Sequence, residues 1–379
     1  VAVDVVVTGI GLRSAFGALN QTWEAIMKGQ TAIALSQPFR ELPPSPLAMW
    51  GSQPGHLQPL IQPTVADTLA DAGLEFPLTD CGVVVGSSRG YQADLEGLAR
   101  DTTDGCLGLF PGFLHGQLAA TIAGIIGSEG PVLSPMAACA TGLWAIAQGF
   151  ELIKTQQCQR VIVGAIEAPI TPLSLIGFAK MGALASESAY PFSRRRDGLA
   201  LGEGAALLVL ESAELAHSRH GKIYGSILGF GVTVDACYHN KPDGEGKSAI
   251  AAIQRSLNHS HLHPTDIDYI HAHGTATILN DKHEAFIINQ LFPDGVAVSS
   301  TKGATGHTLG ASGALGVAFC LKALEQQLLP PCVGLQDLEF HLDVVTTPRS
   351  TVVNNVLCLG FGFGGQNVAI ALGKNPQLI

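Results

Sequence analysis

The sequence predicts an α/β fold in which helices shield a largely buried sheet, laid out as two similar halves, 1–220 and 221–379. Three observations predict it. Apolar runs such as Cys81-Gly-Val-Val-Val-Gly86, Arg160-Val-Ile-Val-Gly-Ala-Ile166 and Ala205-Ala-Leu-Leu-Val-Leu210 sit between helical segments, which is how strands covered on both faces appear. The chain has 379 residues, 46% of them hydrophobic and 14% charged, so it can bury a large core. A plan of strand, polar turn and Gly/Ala helix also occurs twice. It appears at Ala137-Ala-Cys139-Ala-Thr-Gly142 and again at Ser300-Thr-Lys302-Gly-Ala-Thr-Gly-His307, which leads into Gly310-Ala-Ser-Gly-Ala-Leu-Gly316.

Val5-Val-Val-Thr-Gly-Ile-Gly11 reads as a buried strand ending in a glycine turn, with a short helix over 21–28. A dinucleotide fingerprint fails there, because Ser14 stands where a third glycine or alanine is required. Pro, Ser, Gln and Gly over 37–62 predict a long surface excursion before a helix at 65–73. Small and apolar residues throughout 114–127 fit a helix buried on most sides, in part against a partner subunit. After the charged segment 211–222 a second cycle follows: strand 223–229, helix 248–257, strand 267–271, helix 281–291 and strand 297–300.

A net charge of −10 without a basic run argues against nucleic-acid binding, which needs clustered Lys and Arg. The eight cysteines form no Cys-x-x-Cys pair, so neither a zinc site nor a disulfide scaffold is indicated, and a reducing cytoplasm fits best. No signal peptide and no apolar stretch of spanning length is evident, so no membrane span is expected.

The chemistry centres on Cys139. Leu143, Ile146, Ala147, Phe150 and Ile153 mark a helix beginning just beyond it, and a thiol at a helix N-terminus is biased toward the thiolate. One cysteine among eight is more often an inert buried residue, so partners must decide. Two histidine motifs supply them: His271-Ala-His273-Gly-Thr-Ala-Thr277, and Thr301-Lys302-Gly-Ala-Thr-Gly-His307. Each sits in a Gly/Thr turn after a buried strand, where α/β folds gather their site groups. A third piece, Gly360-Phe-Gly-Phe363-Gly-Gly-Gln-Asn367, is a glycine turn whose N–H groups are free to point inward.

In this order the motifs resemble those of the β-ketoacyl synthases, the condensing enzymes of fatty-acid and polyketide assembly. Thr8-Gly-Ile-Gly11, Arg196-Asp-Gly198, Gly202-Glu-Gly-Ala205 and Gly362-Phe-Gly-Gly365 extend the likeness over nearly the whole chain. The resemblance implies a thiolase-like five-layer αβαβα fold, with the nucleophile on the first half and the histidines on the second, usually as a homodimer. It also implies that Cys139 takes an acyl group from a carrier protein and that a malonyl thioester then loses CO2 and attacks it. His273 and His307 would stabilise the enolate as neutral N–H donors. The N–H groups of Cys139 and Phe363 would form the oxyanion hole, and Phe363 would act as a gate. Lys302 and Glu284 would hold the histidines, with Asp281, Thr275 and Thr277 supporting the loop. The resemblance implies no metal or redox cofactor.

Several positions depart from that pattern. His271 replaces the usual Asn or Glu, Cys358-Leu-Gly360 replaces an Asn-Ser anchor, and Arg89 stands in a loop that commonly lines the acyl pocket with an apolar side chain. The segment from Asp235 to Gly246 is short, and 55–62 lacks the basic residues that commonly meet a carrier, leaving Arg194-Arg195-Arg196 as a docking candidate or a solvated loop with a structural Arg196. Two other readings stay open: a silent subunit that shapes another synthase's pocket, and a coenzyme A thiolase using Cys358 as its second cysteine.

Overall fold

The structure is a computed structural model that describes residues 3–100, 108, 110–236 and 244–374. Eleven strands set the frame: β1 (Val5–Ser14), β2 (Cys81–Gly86), β3 (Val132–Leu133), β4 (Arg160–Glu167), β5 (Gly204–Ser212), β6 (Gly225–Val234), β7 (Tyr269–His271), β8 (Ala297–Ser299), β9 (Asp343–Val344), β10 (Asn355–Gly362) and β11 (Gln366–Gly373). Their spatial order is β3-β2-β4-β5-β1-β6-β11-β10-β7-β8-β9. The order contains a repeat. In the first half β3, β2 and β4 run parallel and β5 and β1 follow antiparallel; in the second, β8, β7 and β10 run parallel and β11 and β6 follow antiparallel. Pairing of β1 with β6, Val5 opposite Ile227, joins the two units.

The central layer holds two helices, α4 (Thr141–Lys154) and α8 (Ser312–Gln326). The small residues of both are needed here, because the helices touch at backbone level. A Cβ on Gly142 would lie 2.8 Å from Ala314 N, and one on Gly313 would lie 2.5 Å from Leu143 Cγ. The outer layers are α2 (Gln58–Ala72) on β1 and β5, α3 (Gln117–Ile126) on β2, and α6 (Lys247–His259) on β6 and β11. α1 (Leu19–Met27), α5 (Pro172–Lys180) and α7 (Ile278–Leu291) complete the helices used below.

The apolar runs became strands where expected, since a stretch buried on both faces has only a sheet to join. The excursion over 37–62 is shorter than expected. Ser45–Ala48 forms a strand pairing with Leu201 and Gly202, and α2 begins at Gln58 instead of 65. Pro59 falls in the first turn, where an N–H has no helical partner, and the buried Leu60 and Ile61 draw the segment onto the sheet. Cys106 and Cys237 to His239 lie outside the described residues. Among the described residues, no helix is long and apolar enough to cross a membrane.

Candidate active site

Cys139 occupies a tight turn just ahead of α4. Ala138 adopts the left-handed region at φ 47°, a conformation that costs a residue with a Cβ about 1–2 kcal/mol. Thr141 holds the turn: its hydroxyl accepts from Ala137 N at 2.9 Å and donates to Ala138 O at 2.7 Å. The glycine loop closes over it. A Cβ on Gly362 would lie 2.6 Å from Ala137 O and 3.2 Å from Cys139 N, so only glycine allows this approach. The backbone N–H of Phe363 thereby donates to the Cys139 sulfur.

Burial overturns the resting thiolate expected from the helix terminus. Cys139 is 8% exposed, and removal from water pushes its thiol up to about 11; the charges of Lys302 and Arg89 and the Phe363 N–H oppose this only in part. The resting sulfur is therefore a protonated thiol.

Both histidines converge on this sulfur from the other half. Cys139 Sγ and one ring nitrogen each of His273 and His307 lie within 4.8 Å of one another, and the rings stand edge to face with centroids 5.4 Å apart. Burial, then the charge of Lys302, holds both imidazoles well below their usual range, so both are neutral near pH 7. Three such donors could meet one ion, but the neighbouring Lys302 charge opposes a cation there.

The anchoring groups come from α7, from the turn at Lys302–Thr305 after β8, and from the start of α8. Glu284 takes His273 N on one oxygen at 2.6 Å and Gly274 N on the other at 2.7 Å, while Lys302 Nζ donates to His273 O. Burial pushes the Glu284 carboxyl up, but each oxygen already receives an N–H and Lys302 lies close, so the ionised form fits the contacts. Asp281, raised to about 6 by burial, accepts from Phe192 N at 2.7 Å and Ala276 N at 3.1 Å. Thr275 and Thr277 share a hydroxyl contact of 2.9 Å. His307 Nδ1 meets Ser312 Oγ at 2.8 Å, which leaves its other nitrogen for the cavity.

That cavity, of about 470 Å³, is lined by Cys139, His273, His307, Thr275, Thr277, Phe178, Phe361 and Phe363, among others. Phe363 is 37% exposed and packs on Phe178 with ring centroids 6.1 Å apart. Sequence reasoning missed Ser312, Phe178 and Phe361. Only Ser312 carried a signal, as the one hydroxyl in a Gly/Ala helix start.

Residues 55–216 match the family described as Beta-ketoacyl synthase, N-terminal domain, and residues 224–336 match its C-terminal domain. The chain is 30% identical to 3-oxoacyl-[acyl-carrier-protein] synthase 2 of Coxiella burnetii, with 98% of each chain covered. It is 32% identical to the tetracenomycin polyketide synthase ketoacyl synthase alpha subunit of Streptomyces glaucescens, covering 98% of this chain and 97% of that one. The chain belongs to the β-ketoacyl synthases. A solved type II polyketide ketosynthase, in complex with its acyl-carrier protein and bound to a hexaketide, superposes with a TM-score of 0.92 at 26% identity over 99% of this chain and all of that one. The fold is thus thiolase-like, and the protein is an acyltransferase of the condensing type, acting in fatty-acid or polyketide synthesis.

The departures of this synthase now have places. His271 faces away from the cavity, with Nε2 3.1 Å from Thr301 Oγ1 and its ring against Phe319 and Gly316. Cys358 lies behind the site as well, 4.0 Å from His271 Nδ1. It does not line the cavity, which removes the structural basis for the thiolase reading. Gly360 makes room for Leu143 of α4, since a Cβ there would lie 2.7 Å from its Cδ1. Asn367 instead ties the glycine loop, donating to Asp235 at 2.6 Å and Gly365 O at 3.1 Å. Arg196 is buried, bonded to Ser193 O and Glu339 and stacked over Phe340, whereas Arg194 and Arg195 are exposed.

Proposed function

We propose that Cys139 is the acyl-carrying nucleophile and that His273 and His307 run the decarboxylation, with Lys302, Glu284, Asp281, Thr275 and Thr277 in support. One observation carries the reading: a thiol and two neutral imidazoles from opposite halves meet at the cavity floor beneath a backbone N–H. In the first half-reaction the sulfur attacks the carbonyl carbon of an acyl thioester on an acyl carrier protein. The N–H groups of Cys139 and Phe363 hold the oxyanion, the carrier thiol leaves with the proton, and an acyl-cysteine results.

In the second half-reaction a malonyl thioester enters. Its thioester oxygen takes N–H bonds from His273 and His307, CO2 leaves, and the enolate attacks the acyl carbon, so that a C–C bond forms as the Cys139 C–S bond breaks. Imidazole suits this role because a neutral donor stabilises the enolate without protonating it outright. With Ser312 as the donor in its 2.8 Å contact with His307 Nδ1, the ring proton sits on the nitrogen that faces the cavity. Phe363, half-exposed on a glycine turn, is the gate between acyl and malonyl occupancy.

A homodimer accords with the exposed apolar residues at the sheet edge, Val132 and Leu133 of β3 and Met136 just beyond it in sequence. The halves are taken to divide near residue 220, and the cytoplasm is the compartment most compatible with the described free cysteines. Intact-mass analysis after incubation with acyl carriers tests the reading: one acyl increment on the wild type and none on Cys139→Ala supports it. Acylation of both would end it.

A further inference from the structure

The loop after β2 carries Arg89, whose guanidinium lies over Phe178, one of the rings that line the cavity with Cys139. Glu167, fully buried at the end of β4, fixes this loop by taking five donors: Ser87 Oγ at 2.7 Å, Ser88 N at 2.7 Å, Ser88 Oγ at 2.6 Å, Arg89 N at 3.0 Å and Gly310 N at 3.0 Å. Its oxygens are thereby occupied, and no ion pair forms with the Arg89 side chain. Among the described residues no other carboxylate lies within ion-pair distance of that guanidinium either. The side chain instead lies across Phe178, with Cζ 5.6 Å from the ring centroid, and Phe178 packs on Phe363 beside Cys139. Its charge reaches the Cys139 sulfur.

A simple alkyl chain on Cys139 would gain nothing from that guanidinium and would have to strip water from it, an unfavourable exchange. An oxygen on the acyl chain reverses the balance, because an arginine fork gives charge-assisted hydrogen bonds to a carbonyl or carboxylate. The aromatic rings still accept the carbon part of the same chain. We propose that Arg89 is a specificity-determining residue that selects acyl groups bearing an acceptor oxygen, a keto oxygen or a carboxylate, a few carbons from the thioester. This rests on the assignment of Cys139 as the acylated residue.

Acyl transfer to Cys139 from matched carriers tests it: butanoyl, 3-oxobutanoyl and succinyl at four carbons, hexanoyl and adipoyl at six, each followed by intact mass to give kcat/KM. The 3-oxobutanoyl arm reports a keto oxygen, and the succinyl and adipoyl arms report a carboxylate. The expected result is at least a tenfold preference for one oxygen-bearing chain over the alkyl chain of equal length. Arg89→Met, which keeps a flexible stem over Phe178, should bring that ratio within about twofold of unity, and Arg89→Lys should keep part of it. Using the ratio removes any general effect of the Arg89 charge on the thiol. The inference is overturned if the wild type loads alkyl chains as fast as every oxygen-bearing chain, or if Arg89→Met slows all chains equally. Loading without preference leaves the nucleophile assignment standing; failure of every chain to load Cys139 overturns both.

Discussion

Replacing Glu284 by Gln removes one acceptor oxygen from a place where two are in use. His273 N and Gly274 N each bond a separate carboxylate oxygen, at 2.6 and 2.7 Å, and a glutamine can accept only one of them. The other N–H then faces an NH2 group inside the protein, and the buried Lys302 loses its nearest negative charge. An unmet buried donor opposite a formerly charged acceptor, with a buried cation left uncompensated, costs about 2–4 kcal/mol. The damage is local to the His273 turn and does not touch the Cys139–Phe363 side of the cavity. Glu284→Gln should therefore lower the denaturation midpoint and slow condensation with malonyl carrier about 10- to 100-fold, while acyl loading of Cys139 stays within about threefold. Loading by intact mass and condensation by product formation measure the two steps separately. Condensation at the wild-type rate, or an equal fall in both steps, would refute the assignment of Glu284 to the histidine side.

Because burial holds the Cys139 thiol at about 11, its alkylation by iodoacetamide should rise about tenfold per pH unit from pH 7 to 10 without a plateau; a plateau near pH 7 would show a resting thiolate. His273 and His307 act as neutral donors and their values are lowered, so activity is kept above those values and lost only as pH falls through them. The acid limb of the condensation profile should accordingly lie well below 6.5, the ordinary histidine value, and a limb at 6.5 would count against two neutral rings. Gly362→Ala puts a methyl against Ala137 O and must push the glycine loop off the nucleophile, so loading should fall more than tenfold with about 1–3 kcal/mol lost in stability, read by intact mass and a denaturant titration. Ser312→Ala frees the His307 tautomer, and condensation should drop about tenfold with loading unchanged; unchanged condensation would show that the hydroxyl does not set the proton.

Much of the frame could be read in one dimension. The runs at 81–86 and 160–166 are strands because unbroken apolar residues of that length cannot face water, and α4 follows from apolar residues at helical spacing after Cys139. The nucleophile and the two histidine turns carried signals of residue type and neighbourhood, and the order of the motifs identified the family. Residues 37–62 misled because proline and polar residues signal loops, while the burial of Leu60 and Ile61 that favours helix depends on a sheet distant in sequence.

What the tertiary structure alone decided is the environment of each group. The sequence placed a thiol at a helix N-terminus; only packing showed that burial outweighs that terminus and keeps the proton on sulfur. The motif order singled out His273 over His271, two residues apart, but only packing shows the physical difference: His271 faces Gly316 of α8 and His273 faces the cavity. Ser312, Phe178 and the open guanidinium of Arg89 became meaningful for the same reason. Hydrogen bonding and desolvation depend on what surrounds an atom in space, and these neighbours come from segments far apart along the chain.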